Sequence, residues 1–132
     1  KQASAEKLPF NNDSFDCYTI SFGIRNVTNI EIALAEVLRV LKPGGIFICL
    51  EFSKVRPDIL KPFYNIHLKH VIPNLGAAVT GDREAYQYLV DSIEQFPAQA
   101  KFARMLKQVG LVNIDYNDLT MGVVALHKGY KA

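Results

Sequence analysis

The sequence predicts an α/β domain with an at least partly parallel sheet, and three stretches carry that prediction. The first is residues 39–53, RVLKPGGIFICLEFS. An amphipathic helix ends there at Lys42-Pro43, and Gly44-Gly45 allow a tight reversal. Residues 46–50 are all apolar and rich in β-branched and aromatic types, which reads as a strand buried on both faces. The second stretch precedes it: Ile30, Ala33, Leu34, Val37, Leu38 and Leu41 recur every three or four residues, one apolar stripe that faces a sheet. The third is the close pair of late strands, Val112-Ile114-Tyr116 and residues 121–127, which can only form an antiparallel hairpin. Helix, tight turn and buried strand make half of a βαβ unit. Glu51 and Ser53 put polar groups at that strand's carboxyl end, where open α/β sheets bind ligands.

The other elements follow in order. Residues 1–14 are mostly polar, with Leu8-Pro9-Phe10 as an apolar anchor and Asn11-Asn12-Asp13-Ser14 as a turn cluster. Residues 15–22 form a strand, and Thr28-Asn29-Ile30-Glu31 has the capping-box spacing that starts the first helix. Residues 54–72 interleave Lys54, Arg56, Lys61 and Lys69 with Ile59, Leu60, Phe63, Tyr64, Ile66 and Leu68, and Asp58 is the only acid. Such a segment is a helix with a solvated basic face, a cover over an apolar ligand, or a surface that touches anionic lipid. Pro73-Asn74-Leu75-Gly76 breaks it. Residues 84–96 are helical, with Tyr88, Leu89, Ser92 and Ile93 on one side. Residues 98–109 are helical too, with Phe102, Met105, Leu106 and Val109 as core; the strand from Val112 turns at Asp118.

Composition excludes several classes. The chain has 132 residues, 49% apolar and 21% charged, the profile of one globular domain with a real core. A net charge of +2 is too small for nucleic acid to be the main partner. Cys17 and Cys49 lie in apolar runs with no Cys-x-x-Cys, so buried reduced thiols are expected, with no metal site, in a reducing compartment. No apolar run reaches transmembrane length and no signal peptide is recognisable. The chain begins at Lys1 rather than Met, which suggests a piece of a longer protein.

Specific motifs then narrow the reading. AEKLPF at 5–10, DSFD at 13–16, SFGIRNV at 21–27, RVLKPGG at 39–45, EFS at 51–53, YQYL at 86–89, Ser92-Ile93 and GVVALH at 122–127 resemble the ubiquinone/menaquinone-biosynthesis C-methyltransferases. The Leu-Lys-Pro-Gly-Gly turn is common to many methyltransferases. Gly-Ile-Arg-Asn-Val joined to Leu-Glu-Phe-Ser is specific. The resemblance covers essentially the whole chain. It implies the carboxyl-terminal part of a class I methyltransferase sheet of Rossmann-like type. The strands would lie in the order 4-5-7-6, with the last antiparallel and a helical cover inserted after strand 5. The family's glycine-rich loop and its ribose-binding acid have no counterpart here. Gly44-Gly45 cannot substitute, because it follows a helix and enters a strand. Residues 1–132 are therefore expected to be a partial domain without the amino-terminal cofactor half.

The resemblance also implies roles. S-adenosylmethionine is the expected cofactor, with Ser4, Ala5 and Ser21 beside it; Ser4 stands where the family more often has Asn. Methylating a ring carbon needs an electron-rich carbon, and a neighbouring hydroxyl helps most when it loses its proton. Arg25 is the first candidate for the catalytic group, set against the alternative of a surface ion pair. A guanidinium is no base at working pH, but it can stabilise a phenolate or hold the water that takes the proton. Asn26 would orient the same network. Asp82, His67 and His70 are secondary candidates for relaying the proton, though a lone His on a helix is more often packed or solvated. Tyr64, His67 and Tyr86 are candidates for the substrate pocket, with core packing as the competing role for the tyrosines.

The implied partners are a prenylated benzoquinol or naphthoquinol, a second copy of the chain, and a membrane or quinone-biosynthesis complex touched peripherally. The implied location is the bacterial cytoplasm or mitochondrial matrix, at or near the inner membrane. A reading from another class is a non-catalytic interaction module that docks to a missing half or to a biosynthetic partner.

Overall fold

A computed structural model describes residues 2–56, 60–74, 78 and 81–132. Asp58 and Ile59 of the basic segment, and the Leu75-Gly76 break, lie outside the described residues. Strand β1 (Phe15–Ser21) leads through a single 3-10 turn (Ile24–Asn26) into α1 (Ile30–Val40) and then β2 (Leu41–Phe52). The inserted cover starts with α2 (Lys61–Ile66), which widens into a π-type turn (His67–Val71). Helices α3 (Arg83–Gln95) and α4 (Gln99–Gln108) follow, and β3 (Leu111–Leu119) and β4 (Val124–Lys131) close the chain.

The four strands lie in the order β1-β2-β4-β3. β1 and β2 are parallel, and β4 is antiparallel to both β2 and β3. That is the expected 4-5-7-6 arrangement with its reversed last strand. One face of the sheet carries the core. Leu34 and Val37 of α1 and Phe102 and Leu106 of α4 pack on Phe47, Cys49 and Leu111. A smaller cluster, Leu68 with Val90 and Ile93, seats the cover on α3.

Several sequence expectations need correction. Strand 46–50 is not buried on both faces: Phe47 and Cys49 are buried, but Ile46, Ile48 and Leu50 are only half-buried. The cause is that α1 and α4 contribute to the same core, on the Phe47 and Cys49 side. For the same reason Cys17 is exposed, and only Cys49 is a buried thiol. Burial pushes the Cys49 thiol up, which keeps it protonated. The first helix ends at Val40, and Leu41 is already extended because the core takes its side chain. The Pro43-Gly44-Gly45 turn is instead a bulge within β2, between the Leu41 and Ile46 pairs. Gly44 sits at φ +79, and a Cβ on Gly45 would stand 2.8 Å from the Lys42 carbonyl oxygen, so both glycines are required.

The cap of α1 also differs. Asn29, not Thr28, accepts the Ile32 N–H at 3.1 Å, and the Asn29 N–H donates to Glu6 Oε1 at 2.7 Å. Glu6 thus does from a distance what the capping box assigned to Glu31. Glu36 and Arg39 hold the rest of the amino-terminal segment: Leu8 N–H donates to Glu36 Oε2 at 2.7 Å, and Arg39 Nη1 donates to the Phe10 carbonyl at 2.7 Å. The Arg39 hydrogen bond holds the Glu36 carboxyl down at about 2. The late hairpin turns at Thr120–Gly122 rather than at Asp118, because Thr120 and Met121 take left-handed conformations at φ 48 and 55.

His127 gives the fold a pH dependence. It is 1% exposed, between Phe102 edge-on at 4.9 Å and Tyr116 stacked at 5.1 Å. Its Nε2 lies 3.1 Å from the Gln99 carbonyl, which can only accept, so the neutral ring carries its proton there. Burial lowers the His127 pKa, against smaller opposing effects of the Gln99 carbonyl and Asp118. The unfolded chain then takes up a proton before the folded one, so this stability is whole above about 6.5 and falls as pH drops below it. Glu36 acts in a lower window: its contribution holds above its ordinary value and fades as pH falls toward about 2. The urea midpoint of the full-length protein is expected to drop between pH 7.5 and 5.5, and His127→Gln should flatten that drop. An equal drop in the variant would assign it elsewhere.

Candidate functional site

The site grows from the carboxyl ends of the two parallel strands. Phe22 leaves β1 at φ 52, a strained conformation for a bulky residue. Its N–H is held by the Leu50 carbonyl at 2.8 Å, and its ring meets Phe52 at 4.9 Å. The reversal leads into the 24–26 turn, which Ile24, 1% exposed, plugs into the core. Arg25 therefore points back across the strand ends.

Its guanidinium is held on several sides. Nη1 donates to Glu51 Oε1 at 2.9 Å and to the Phe22 carbonyl at 2.6 Å. Nε donates to Ser92 Oγ at 3.3 Å, and the Phe52 ring lies 5.3 Å from the guanidinium carbon. The Arg25 backbone N–H also reaches Glu51 Oε2 at 3.3 Å. The Arg25 and Glu51 side chains are 10% and 1% exposed, so this is a buried ion pair. Nη2 has no protein partner among the described residues. An open cavity of about 490 Å³ borders Arg25, Ser92, Phe96 and Met105. Asn26 is tied in as well, since Tyr88 Oη donates to its Oδ1 at 3.0 Å. Tyr88 and Ser92, one helical turn apart on α3, thus clasp the turn at two points.

Phe52, Ser92 and Tyr88 are the site residues that sequence reasoning missed, and Glu51 was read as a polar strand end without its partner. Glu51 had a signal, because a carboxylate ending a buried apolar strand needs a cationic partner. Arg25, on the neighbouring strand's loop, was available. The spacing of Tyr88 and Ser92 marked a helix face without saying what that face touches.

The remaining candidates scatter. Asp82 caps α3, accepting the Ala85 N–H at 2.9 Å. His67 is exposed on the π-type turn, and His70 is exposed nearby. Tyr64 is half-buried on the second cluster and lines a separate cavity of about 470 Å³ with Ser53, Lys54, Leu68 and Gln99; burial raises its phenol. Tyr86 is half-buried and lines neither cavity. Ser4 Oγ accepts the Glu6 N–H at 3.2 Å in an exposed turn, Ala5 is half-buried beside it, and Ser21 is exposed at the end of β1. Arg25 and Asn26, neighbours in the chain, share the network of Glu51, Ser92 and Tyr88, and the other candidates lie outside it. Among the described residues no cluster of His, Cys, Asp or Glu could hold a metal ion, and no helix is long and apolar enough to cross a membrane.

The profile of the ubiE/COQ5 methyltransferase family matches residues 1–131. The chain belongs to that family. It is 56% identical over 129 residues to the ubiquinone/menaquinone biosynthesis C-methyltransferase UbiE of Rickettsia felis, covering 98% of this chain and 52% of that protein. It is 53% identical over 127 residues to the mitochondrial 2-methoxy-6-polyprenyl-1,4-benzoquinol methylase of Bos taurus, covering 96% of this chain and 38% of that protein. The chain spans about half the length of the UbiE relatives it matches. A solved SAM-dependent methyltransferase from Thermotoga maritima superposes with a TM-score of 0.68 at 19% identity, over 98% of this chain and 62% of that one. The fold is that of a class I methyltransferase sheet.

Proposed function

We propose that this chain is the acceptor-side half of an S-adenosylmethionine-dependent C-methyltransferase that acts on a prenylated benzoquinol or naphthoquinol. The observation that carries the reading is a family match across the whole chain, which includes a turn that holds Arg25 at the carboxyl edge of two parallel strands. The relatives' names supply the substrate class. Arg25 would present its Nη2 edge to the acceptor's oxygen, or to a water that takes its proton, and so favour the electron-rich ring that attacks the sulfonium methyl. Asn26, fixed by Tyr88, would shape the same corner. Tyr64 and His67 lie on the cover, with Asp82 at the cap of α3, which seats it, and Tyr86 on that helix; together they would close over the ring and its prenyl tail. That cover, with Phe63 73% and Ile66 58% exposed beside Lys61, is also where we place peripheral contact with an inner membrane, in bacterial cytoplasm or mitochondrial matrix.

By the resemblance, Ser4, Ala5 and Ser21 would border the cofactor. They offer two hydroxyls and a small apolar surface, and no charge for the ribose or the amino acid end. The 132-residue chain alone is therefore expected to bind S-adenosylmethionine very weakly. Calorimetric titration should show no saturation at micromolar cofactor, and micromolar affinity would place the whole cofactor site within these residues. The activity is tested by giving the full-length protein methyl-labelled S-adenosylmethionine with each demethylated quinol. Label is expected in a ring carbon of one or both. Bound cofactor with no label in either would overturn the substrate class.

A further inference from the structure

We infer that Glu51 is a positioning residue for methyl transfer, acting through Arg25 and never touching the acceptor itself. The inference rests on the reading of Arg25 given above. Glu51 ends β2, a strand fixed by pairing on both sides: Leu50 opposite Ser21, and Glu51 opposite Ala125. At 1% exposure its carboxylate cannot reach a substrate. What it does reach is Arg25, twice. Oε1 takes the guanidinium Nη1 at 2.9 Å, and Oε2 takes the Arg25 backbone N–H at 3.3 Å. The Phe52 N–H, 2.9 Å from Oε1, locks the carboxylate in turn. One side chain thereby fixes both where the Arg25 main chain turns and where its planar fork lies. Phe22 and Ser92 each hold a guanidinium nitrogen without the Arg25 main chain.

This arrangement does more than neutralise a buried charge. Simple compensation needs only a carboxylate nearby, whereas contact with backbone and guanidinium together defines an orientation. The oriented fork aims the remaining nitrogen, Nη2, and an electrostatic group helps the transition state only while it is aimed beforehand. Glutamine cannot copy the clamp, because its amide presents a second donor to one of two Arg25 donors. Aspartate keeps the charge but draws the carboxylate back by one methylene.

The test is kinetic, in the full-length protein, with Glu51→Gln and Glu51→Asp made alone and in an Arg25→Lys background. Each single variant is expected to lose about ten- to a hundredfold in kcat, with the KM for S-adenosylmethionine within about twofold of the parent. In the Arg25→Lys background the same changes should cost little more, since the fork they aim is gone. A loss by the same factor in both backgrounds would show a merely structural role and overturn the inference, as would parental kcat in both single variants. Should Glu51→Gln fail to fold, Glu51→Asp decides by the same criteria. If Arg25→Lys alone kept parental turnover, the role of Arg25 would fall first, an outcome distinct from failure of the Glu51 inference with Arg25 intact.

Discussion

Replacing Arg25 in the full-length protein is expected to lower turnover roughly a hundred- to a thousandfold, about 3–4 kcal/mol in the barrier, with little change in cofactor affinity. A donor aimed at a developing phenolate acts in the transition state, so the loss belongs in kcat rather than in cofactor binding. The structure decides which substitution to use. Arg25→Ala would leave the Glu51 carboxylate, 1% exposed, without its cationic partner. Breaking a buried pair in this way typically costs about 3–5 kcal/mol of stability, enough to confuse inactivity with unfolding. Arg25→Lys keeps the charge and loses the fork, because an ammonium cannot serve Glu51, Phe22 and Ser92 while leaving a nitrogen aimed outward. It should fold, bind cofactor and turn over slowly. A lysine variant that turned over like the parent but bound S-adenosylmethionine poorly would make Arg25 a cofactor contact.

Topology was legible because it is written in local signals. The apolar stripe of α1, the 46–50 run and the late alternation each specify an element, and connection lengths then leave few ways to pair them. Burial was less legible. Five apolar residues in a row look the same whether one face or both are covered, and in this chain α1 and α4 pack the Phe47 and Cys49 side together. Register-dependent features were invisible: the cap at Asn29 draws its second partner from Glu6, and the hairpin turn depends on two left-handed residues that propensity disfavours. For the site, Arg25 and Asn26 could be named from a motif. Of what holds them only Glu51 left a signal, because Ser92 and Tyr88 lie 67 and 62 residues away along the chain.

The 132-residue chain by itself is expected to self-associate. β1 ends the sheet, with β2 as its only strand partner among the described residues, which leaves its outer row of backbone amides and carbonyls to pair. Asp16 is the only charge in residues 15–22, and Lys42 neutralises it at 2.9 Å, so little repels a second strand. The opposite edge is better guarded. In β3 a register shift near Asn113, itself at φ 49, bends the strand out of line. The sheet face with Ile46, Ile48 and Leu50 half-buried, next to exposed Cys17, adds an apolar surface that water does not favour. Two copies meeting β1 to β1 about a two-fold axis would continue the sheet and cover both edges at once. Light scattering coupled to size exclusion, across a dilution series, should show mass above 14.8 kDa that falls on dilution. Thr19→Lys, at an exposed position of β1, should weaken it by facing two like charges across the new seam. A monomer at every concentration, binding no apolar dye, would mean that this edge is already protected.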